Sequence, residues 1–238
     1  MGLFSRLFKR SEKTLSLPIC AAVIVAAGTS SRFGQDKPFL DLDGKPLIAH
    51  SLQTFQDCAL IRDIYIAGRP ERIAELSAIV KLFGFDKVRT VVKGGETRRQ
   101  SVEAALREIP QDVQLVAIHD AARPYATGKL ISECLALAAK HDAAIAAIPA
   151  TDTVKIVNGG VVVSTPDRRS VYQAQTPQAF SVTLLKAALA KYPDDSVTDE
   201  AQLIERMGIP VRIVHGSRRN IKITYPEDLL QFAAGGNQ

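Results

Sequence analysis

A nearly unbroken run of apolar residues from Ile19 to Ala27 is followed by a loop of small and polar residues that extends from Gly28 to Gly34. A short apolar run that ends at a glycine predicts a strand buried on both faces, as in a parallel sheet. Ligands of such sheets bind beyond the carboxyl ends of the strands. We therefore expect chemistry in residues 28–37, which we call the first loop.

Short apolar runs alternate with segments of helical periodicity through most of the chain. Strands are predicted over residues 63–68, 87–94, 113–124 and 143–151, and helices over residues 46–58, 70–84 and 127–142 and after a glycine-led loop that begins at residue 94. This alternation predicts an α/β fold with a doubly wound, mostly parallel sheet. Ligand chemistry should then collect in the first loop and in the loops 94–101 and 119–124, which carry glycines or charges.

The pattern changes at Asp152, where two short apolar runs flank an Asn-Gly turn and predict a β-hairpin. An isolated hairpin is only marginally stable in water, so this one needs a partner surface, either in its own domain or on a second subunit. The rest of the chain predicts a helix over 181–192, a helix with Thr198 at its N-cap, strands over 211–216 and 220–224, and a helix over 226–234.

The chain shows neither an internal repeat nor a linker, which predicts one domain over residues 18–235. The hairpin and its flanks, residues 151–170, are expected to protrude from this domain as a β-arm. Residues 1–17 are expected to form a flexible basic arm, and the last few residues are expected to be disordered.

Composition and charge narrow the class of protein. The 238 residues are 46% hydrophobic and 23% charged, as in an ordinary globular protein, and the net charge is +5. The first thirteen residues carry +3 of that charge, which leaves +2 for the rest of the chain. A charge this small does not predict nucleic-acid binding. Apolar runs are too short to span a membrane, and no signal-peptide core is evident. Cys20, Cys58 and Cys134 lack metal or redox spacing and predict buried, reduced thiols in the cytoplasm.

The first loop has the chemistry of a nucleoside triphosphate site. Its small residues would let backbone N–H groups approach phosphate oxygens, and Arg32 and Lys37 would add positive charge. An ordinary solvated loop between a strand and a helix is the alternative. The Walker A pattern is excluded because Gln35 follows Gly34, and the dinucleotide fingerprint fails because Ser30 replaces its second glycine.

Eight motifs occur in order across nearly the whole chain after Pro18: AAGTSSRFG, DKPFL, GGETRRQSV, HDAARP, DTVK, QAQTPQAF, TDEA and NIKIT. Together they resemble the 2-C-methyl-D-erythritol 4-phosphate cytidylyltransferase family of the non-mevalonate isoprenoid pathway. The resemblance implies a Rossmann-like sheet of the nucleotide-diphospho-sugar transferase type with a protruding β-hairpin arm. It also implies transfer of CMP from CTP to 2-C-methyl-D-erythritol 4-phosphate, with release of pyrophosphate. The chain departs from the family pattern at Ser30 and at Pro38, which stands where glutamine is common.

The resemblance assigns roles to residues of the nucleotide half. Arg32, Lys37 and Lys222 would be catalytic, because they would stabilise negative charge on the phosphates. A further set would bind the nucleotide: Ala26, Ala27, Gly28, Gly95, Glu96, Arg98, Ser101, Asp120 and Ala121. Asp120 would also contact Mg²⁺, which prefers one or two carboxylates together with substrate phosphates. His119 is interpreted as a packed neighbour of this site.

The acceptor site is implied by the same resemblance. Its residues would be Arg123, Thr153, Arg168, Thr198 and Thr224. In that family the arm reaches across a homodimer, so Thr153 and Arg168 would serve the active site of the partner. The basic residues after the hairpin are compatible with this arrangement, but composition does not establish it.

Three alternatives remain at this stage. A ribitol-5-phosphate cytidylyltransferase would share the nucleotide motifs and differ near the arm and Thr198. A nucleotide-binding regulator without catalysis would predict damage at Arg32, Lys37 or Lys222, and all three are intact. A dinucleotide-dependent oxidoreductase is disfavoured, since no acidic residue follows the first loop in the required setting.

Overall fold

The computed structural model describes residues 18–28, 33, 36–194 and 196–229. The strands in this part of the chain are β1 (Cys20–Ala26), β2 (Asp41–Leu42), β3 (Lys45–Pro46), β4 (Ile61–Gly68), β5 (Val88–Lys93), β6 (Leu115–Asp120), β7 (Ala143–Pro149), β8 (Ile156–Asn158), β9 (Val161–Ser164), β10 (Tyr172–Ser181) and β11 (Arg212–His215). The helices are α1 (Leu47–Asp57), α2 (Ile73–Phe83), α3 (Arg98–Glu108), α4 (Gly128–His141), α5 (Val182–Lys191) and α6 (Glu200–Arg206).

A seven-stranded sheet in the order β11-β7-β10-β6-β1-β4-β5 forms the centre of the fold. The strand β1 pairs in parallel with β4 and β6, β4 with β5, and β11 with β7. Only β10 runs in the opposite direction within this sheet, antiparallel to both β6 and β7. The predicted mostly parallel sheet is confirmed.

Helices cover both faces of the sheet. Ala22 and Ile24 of β1 belong to a buried cluster with α1, α2 and α4, whereas Ala21 and Val23 belong to a second cluster with α3, α5 and α6. Successive side chains of a strand point to opposite faces, so these two clusters are the two layers of a doubly wound fold. Burial on both faces explains why the sequence of β1 is almost continuously apolar.

Side-chain caps begin several of the predicted helices. Thr97, Thr127 and Ser181 each accept a hydrogen bond from a backbone N–H in the first turn of α3, α4 and α5, respectively. The prediction that Thr198 caps the next helix is wrong. Asp199 takes that position at α6, where its carboxylate accepts from the Gln202 N–H at 3.2 Å.

Two strand predictions need correction. The strand predicted over 113–124 ends at Asp120, because the chain turns after it and the Arg123 N–H bonds to the Asp120 carbonyl. Residues 220–224 are not a strand, because their backbone makes isolated bonds, such as that from Ile223 N–H to the Ala122 carbonyl, rather than a ladder. The apolar pattern also leaves Tyr172–Ser181 unassigned, and this segment forms the long strand β10.

The predicted hairpin is present as β8 and β9, which among the described strands pair only with each other. Its two-residue turn is Gly159-Gly160 rather than Asn-Gly, since both glycines have positive φ (55° and 80°) and Asn158 already pairs with Val161. Positive φ at both central positions is what a tight hairpin turn requires. The apolar side chains of the hairpin are exposed to solvent.

Some predictions fall outside the described residues: the basic arm 1–17, most of the first loop including Arg32, and the final helix beyond residue 229. Among the helices that the structure describes, none is both long enough and apolar enough to cross a membrane.

Candidate active site

The carboxyl ends of β1, β5 and β6 surround a pocket of about 320 Å³, which we call the main pocket. It brings together eleven of the residues predicted for the nucleotide and for catalysis: Ala26, Ala27, Gly28, Lys37, Gly95, Glu96, Arg98, Ser101, Asp120, Ala121 and Lys222. Lys37 is the last residue of the first loop and begins a short 3-10 turn, and Lys222 comes from the far end of the chain. The described part of the chain thus places two lysines and a buried aspartate at the edge where ligands of parallel sheets bind.

The loop between β5 and α3 is closely packed against β1. A Cβ atom on Gly94 would lie 2.5 Å from the Cβ atom of Ala27, so only glycine fits there. The Gly95 N–H donates to the Ser101 hydroxyl at 3.1 Å, and that hydroxyl donates to the Thr97 carbonyl at 2.9 Å. These bonds fix the shape of the wall of the main pocket that the two small residues, Gly95 and Ser101, line.

Asp120 is the electrostatic centre of the main pocket. Its Oδ2 lies 2.8 Å from Nζ of Lys222, and its Oδ1 lies 3.1 Å from Nε of Arg98. Burial by itself would raise the pKa of Asp120, but the positive charges of Arg98 and Lys222 outweigh it and hold the pKa well below its ordinary value. Asp120 is therefore an ionised carboxylate at neutral pH.

Arg98 joins the end of β6 to the beginning of α6. Its Nη1 lies 2.5 Å from Oε1 and 2.6 Å from Oε2 of Glu200, in addition to its contact with Asp120. Burial lowers the pKa of Arg98, but the two carboxylates raise it further, so the side chain stays charged. Sequence patterns assign no separate role to Glu200, because an acidic residue in the first turn of a helix is ordinary.

A second pocket, of about 380 Å³, shares Lys222 with the main pocket. Arg123 and Arg218 also line it, so three cations face one cavity that is suited to an anion. Nη1 of Arg123 donates to the Asn220 carbonyl at 2.7 Å. Arg218 was missed by the sequence reasoning, since an arginine in a loop is most often solvated.

Buried polar residues of β10 hold the loop that carries Lys222. The Gln175 side chain donates to the Ser217 carbonyl at 2.8 Å, and the Asn220 side chain donates to the Thr176 carbonyl at 2.8 Å. The pairing of β10 with β7 is irregular between Ala174 and Gln178, which leaves the residues between them to bond to this loop. The motifs QAQTPQAF, in β10, and NIKIT, in the loop of Lys222, were both recognised in the sequence. The contact between them could not be predicted from the sequence.

Four predicted acceptor residues do not line either of these pockets in the described part of the chain: Thr153, Arg168, Thr198 and Thr224. Nη1 of Arg168 donates to the carbonyl of Thr151, which lines the second pocket, at 3.2 Å. The Thr224 hydroxyl donates to the Lys222 carbonyl at 3.0 Å. Thr153, Arg168 and Thr224 therefore lie near the second pocket in sequence or through one contact, without facing it. Thr198 lies beside α6, where its N–H donates to the Gln202 side chain at 3.0 Å.

His119 is a packed neighbour of the site, as predicted. It is fully buried, and its ring centroid lies 5.0 Å from that of Phe55. Thr176 accepts from the Asp120 N–H at 3.1 Å and donates to Nδ1 of His119, so Nε2 of His119 carries the proton and donates to the Arg123 carbonyl. Burial lowers the pKa of His119 to about 4, which keeps the ring neutral.

The described residues contain no group of three or more histidine, cysteine, aspartate or glutamate side chains that could hold a metal ion. Mg²⁺ often binds through one or two carboxylates together with substrate phosphates. The ionised carboxylate of Asp120 in the main pocket fits that requirement.

The sheet and its cation-lined pocket, taken with the comparisons that follow, define an α/β enzyme of the nucleotidyltransferase class. Residues 20–234 match the model of the family described as IspD, 2-C-methyl-D-erythritol 4-phosphate cytidylyltransferase, and the chain belongs to this family. The enzyme of that name from Alkaliphilus oremlandii is 41% identical over 218 residues, which cover 88% of this chain and 92% of the relative. The one from Geotalea uraniireducens is 41% identical over 216 residues, which cover 88% and 93%.

Solved structures agree with this membership. The 4-diphosphocytidyl-2C-methyl-D-erythritol synthase of Anaerococcus prevotii is 32% identical and superposes with a TM-score of 0.84, covering 93% of this chain and 97% of that one. The 2-C-methyl-D-erythritol 4-phosphate cytidylyltransferase of Thermus thermophilus is 30% identical, with a TM-score of 0.73 and coverage of 91% and 98%.

Proposed function

We propose that this chain transfers the cytidylyl group of CTP to 2-C-methyl-D-erythritol 4-phosphate in isoprenoid precursor biosynthesis. The products are 4-diphosphocytidyl-2-C-methyl-D-erythritol and pyrophosphate. The observation that carries the proposal is the pair of adjoining cation-lined pockets that share Lys222. One pocket would take the nucleotide and the other the phosphate of the acceptor, which brings the two reacting phosphates to the same lysine.

In this reaction an oxygen of the acceptor phosphate attacks the α-phosphorus of CTP, and the bond from that phosphorus to the β-phosphate oxygen breaks. The acceptor phosphate is already ionised at neutral pH, so the attack needs no general base. The protein supplies in-line positioning and positive charge where negative charge accumulates. Lys37 and Lys222 provide that charge from two sides of the main pocket, and Arg32 adds to it from the first loop.

The nucleotide lies against the small residues of the main pocket in this proposal. Close approach to the backbone needs small side chains, and the wall offers them: Ala26, Ala27, Gly28, Gly95, Ser101 and Ala121. Glu96 lines the same wall, and Arg98 acts by fixing Asp120.

Asp120 would take one ligand position of a Mg²⁺ ion, whose other ligands would include phosphate oxygens of the nucleotide. When bound, the ion neutralises part of the charge of the triphosphate. Lys222, which contacts Asp120 in the free chain, would then transfer its contact to a phosphate oxygen. Exchange of one anionic partner for another preserves the pairing of both charges.

The acceptor binds in the second pocket, where Arg123 and Lys222 would hold its phosphate. Thr198 and Thr224 would complete this site from the same subunit. Thr153 and Arg168 lie on the β-arm and would reach the acceptor of a partner subunit in a homodimer. The exposed apolar side chains of the hairpin support this proposal, because they need a covering surface.

The organisation of the chain is part of the same proposal. Residues 18–235 would make up one domain from which the β-arm 151–170 protrudes, and the basic residues 1–17 lie outside the described part of the chain. The protein would work in the cytoplasm, a reducing compartment that suits its three buried, free cysteines.

The proposal is tested by pyrophosphate release with CTP, Mg²⁺ and one of two acceptors, 2-C-methyl-D-erythritol 4-phosphate or ribitol 5-phosphate. We expect turnover with the first acceptor and a loss of about a hundred- to a thousandfold in Lys37→Ala and in Lys222→Ala. Lys129→Ala is the matched control, since this lysine is exposed on α4. Turnover with ribitol 5-phosphate alone would refute the proposed identity of the acceptor. Absence of pyrophosphate release with both acceptors would refute the proposed function.

A further inference from the structure

Asp36 immediately precedes Lys37, yet its side chain makes no capping hydrogen bond to the turn that follows it. It is the N-cap residue of the 3-10 turn Lys37–Phe39, and its backbone carbonyl accepts from the Phe39 N–H at 3.0 Å. Aspartate at such a position usually accepts a second bond through its carboxylate. Here no such side-chain bond exists, and the carboxylate points to another segment of the chain.

That segment is the connection between β4 and α2. Oδ2 of Asp36 accepts from Nη2 of Arg69 and, at 2.6 Å, from Nε of Arg72. The Asp36 side chain is only 14% exposed, compared with 23% for Arg69 and 36% for Arg72. These charge-assisted bonds are therefore partly protected from water, which makes them stronger than surface ion pairs.

The same contacts connect the lysine-bearing turn to the rigid sheet. Arg69 follows Gly68, the last residue of β4, which lies beside Ala26 of β1 in the sheet register. The guanidinium of Arg72 also lies 5.4 Å from the ring centroid of Phe39, the last residue of the turn. The turn is thus held at its N-cap residue by charge and at its last residue by a cation–π contact.

We propose that Asp36, Arg69 and Arg72 form a clasp that positions Lys37 in the main pocket. The clasp fixes the residue before Lys37 to the carboxyl edge of the sheet, so the backbone of Lys37 has little freedom. It also pairs the negative charge of Asp36, which would otherwise repel a triphosphate next to Lys37. This inference rests on the catalytic role proposed for Lys37, and it treats Asp36 and both arginines as positioning residues.

A different role for the arginines is direct contact with the triphosphate. The two roles predict different results when variants are combined, because residues that act through one another do not add. In the clasp Arg69 acts through Asp36, so its loss has no effect once Asp36 is gone, whereas Arg72 also contacts Phe39 directly. If Asp36 acts only through Lys37, its loss has no effect once Lys37 is gone.

The experiment measures kcat and KM for Asp36→Asn alone and for double variants of it. The second substitution in these double variants is Lys37→Ala, Arg69→Gln or Arg72→Gln. A displacement of a catalytic group by about 1 Å can cost about a hundredfold, so we expect a ten- to hundredfold fall in kcat for Asp36→Asn. The KM of the acceptor and the thermal midpoint should change little. No further loss should appear in the Lys37→Ala background or on removal of Arg69, while removal of Arg72 should add only the effect of its lost contact with Phe39. Asp112→Asn, which breaks the exposed pair with Arg62, is the control.

An additive loss in the Lys37→Ala background, or a loss of stability without a change in kcat, would overturn the clasp. An additive loss from Arg69→Gln would overturn it in favour of direct contact with the triphosphate. Amide hydrogen exchange of Phe39 and Leu40, measured without substrates, tests the clasp independently of turnover. We expect faster exchange in Asp36→Asn than in the wild type, and unchanged exchange would also overturn the clasp. A wild-type enzyme without turnover would contradict the proposed function, while this exchange measurement would still decide the clasp.

Discussion

The ammonium group of Lys222 lies 2.8 Å from Oδ2 of Asp120, and this contact joins the last loop of the described chain to the end of β6 in the middle of the sheet. Asp120 itself is nearly buried, with a side chain 10% exposed, and Arg98 contacts its other oxygen. The free protein therefore holds its central carboxylate between two cations. In the proposed reaction a phosphate that enters the pocket would compete for the lysine, and a metal ion would compete for the carboxylate.

The first prediction concerns the carboxylate of Asp120. Asp120→Asn keeps the shape of the side chain but removes its charge, so it should weaken the proposed contact with Mg²⁺. We expect the Mg²⁺ concentration for half-maximal activity to rise by about tenfold or more. A titration of pyrophosphate release with Mg²⁺ checks this, and Asp112→Asn provides a control at an exposed ion pair. An unchanged Mg²⁺ dependence would contradict the metal role of Asp120.

The second prediction concerns the ion pair between Arg98 and Glu200. The Glu200 side chain is only 3% exposed, so Arg98→Met leaves a buried charge without its partner. We expect the free energy of unfolding to fall by about 3–5 kcal/mol in urea titrations. Lys129→Met removes a lysine from an exposed pair and should cost less than about 1 kcal/mol. The double variant Arg98→Met/Glu200→Leu should recover much of the loss, and failure to recover would show that Arg98 stabilises by packing.

The third prediction concerns pH. The pKa of His119 is lowered from 6.5 to about 4 in the folded chain, so the unfolded chain binds a proton more readily. Stability from the neutral ring is complete above pH 6.5 and is lost as the pH falls towards 4. The loss should reach about 3 kcal/mol. Urea unfolding between pH 7 and about 4.5 measures it, above the range in which Asp120 is protonated. His119→Gln should show a shallower dependence, and an equal slope in both proteins would refute the assignment.

The fourth prediction concerns the wall of the main pocket. Gly94→Ala would bring a methyl group to 2.5 Å from Ala27 and 2.8 Å from the Ser101 hydroxyl. Overpacking of this kind costs about 1–3 kcal/mol, and we expect it to raise the KM of CTP as well. Gly128→Ala is the control, because a Cβ there meets nothing within 4 Å. Equal thermal midpoints and equal KM values in the two variants would contradict the close packing.

The fifth prediction concerns the arm. Val161 and Val163 are 68% and 64% exposed, and they lie on one face of β9 because they are two residues apart. In a homodimer that covers this face, Val161→Lys/Val163→Lys should shift the protein towards monomer in sedimentation. Turnover should fall while the affinity for CTP is kept. Leu82→Lys is the control, since Leu82 is 77% exposed on α2. A wild-type monomer at micromolar concentration would contradict the proposed shared site.

Local patterns in the sequence predict most of the sheet but not the contacts between distant segments. β1 was predicted because burial on both faces demands an apolar run. β10 was missed because Gln173, Gln175 and Gln178 interrupt its apolar pattern. Two of these glutamines are buried, and the Gln175 side chain bonds to the loop of Lys222, so their polarity reflects a contact that only the folded chain contains.

The same limit explains what was missed in the site. Motifs led to Lys37, Asp120 and Lys222 because each lies in a segment that the family shares. No sequence motif marks Arg69 and Arg72 as partners of Asp36, since both lie in an ordinary connection between a strand and a helix. Charges that pair across such distances become visible only through the register of β1 and β4.

The β-arm closes at its base, where the Ala150 N–H donates to the Val171 carbonyl at 2.9 Å. The two ends of the arm are therefore neighbours, and they directly follow β7 and precede β10 of the sheet. Because the ends of this insertion meet, its length and its surface can be altered without a change in β7 and β10, the strands on either side of it. If the arm contacts a partner subunit as proposed, engineering of that contact is confined to one segment of the gene.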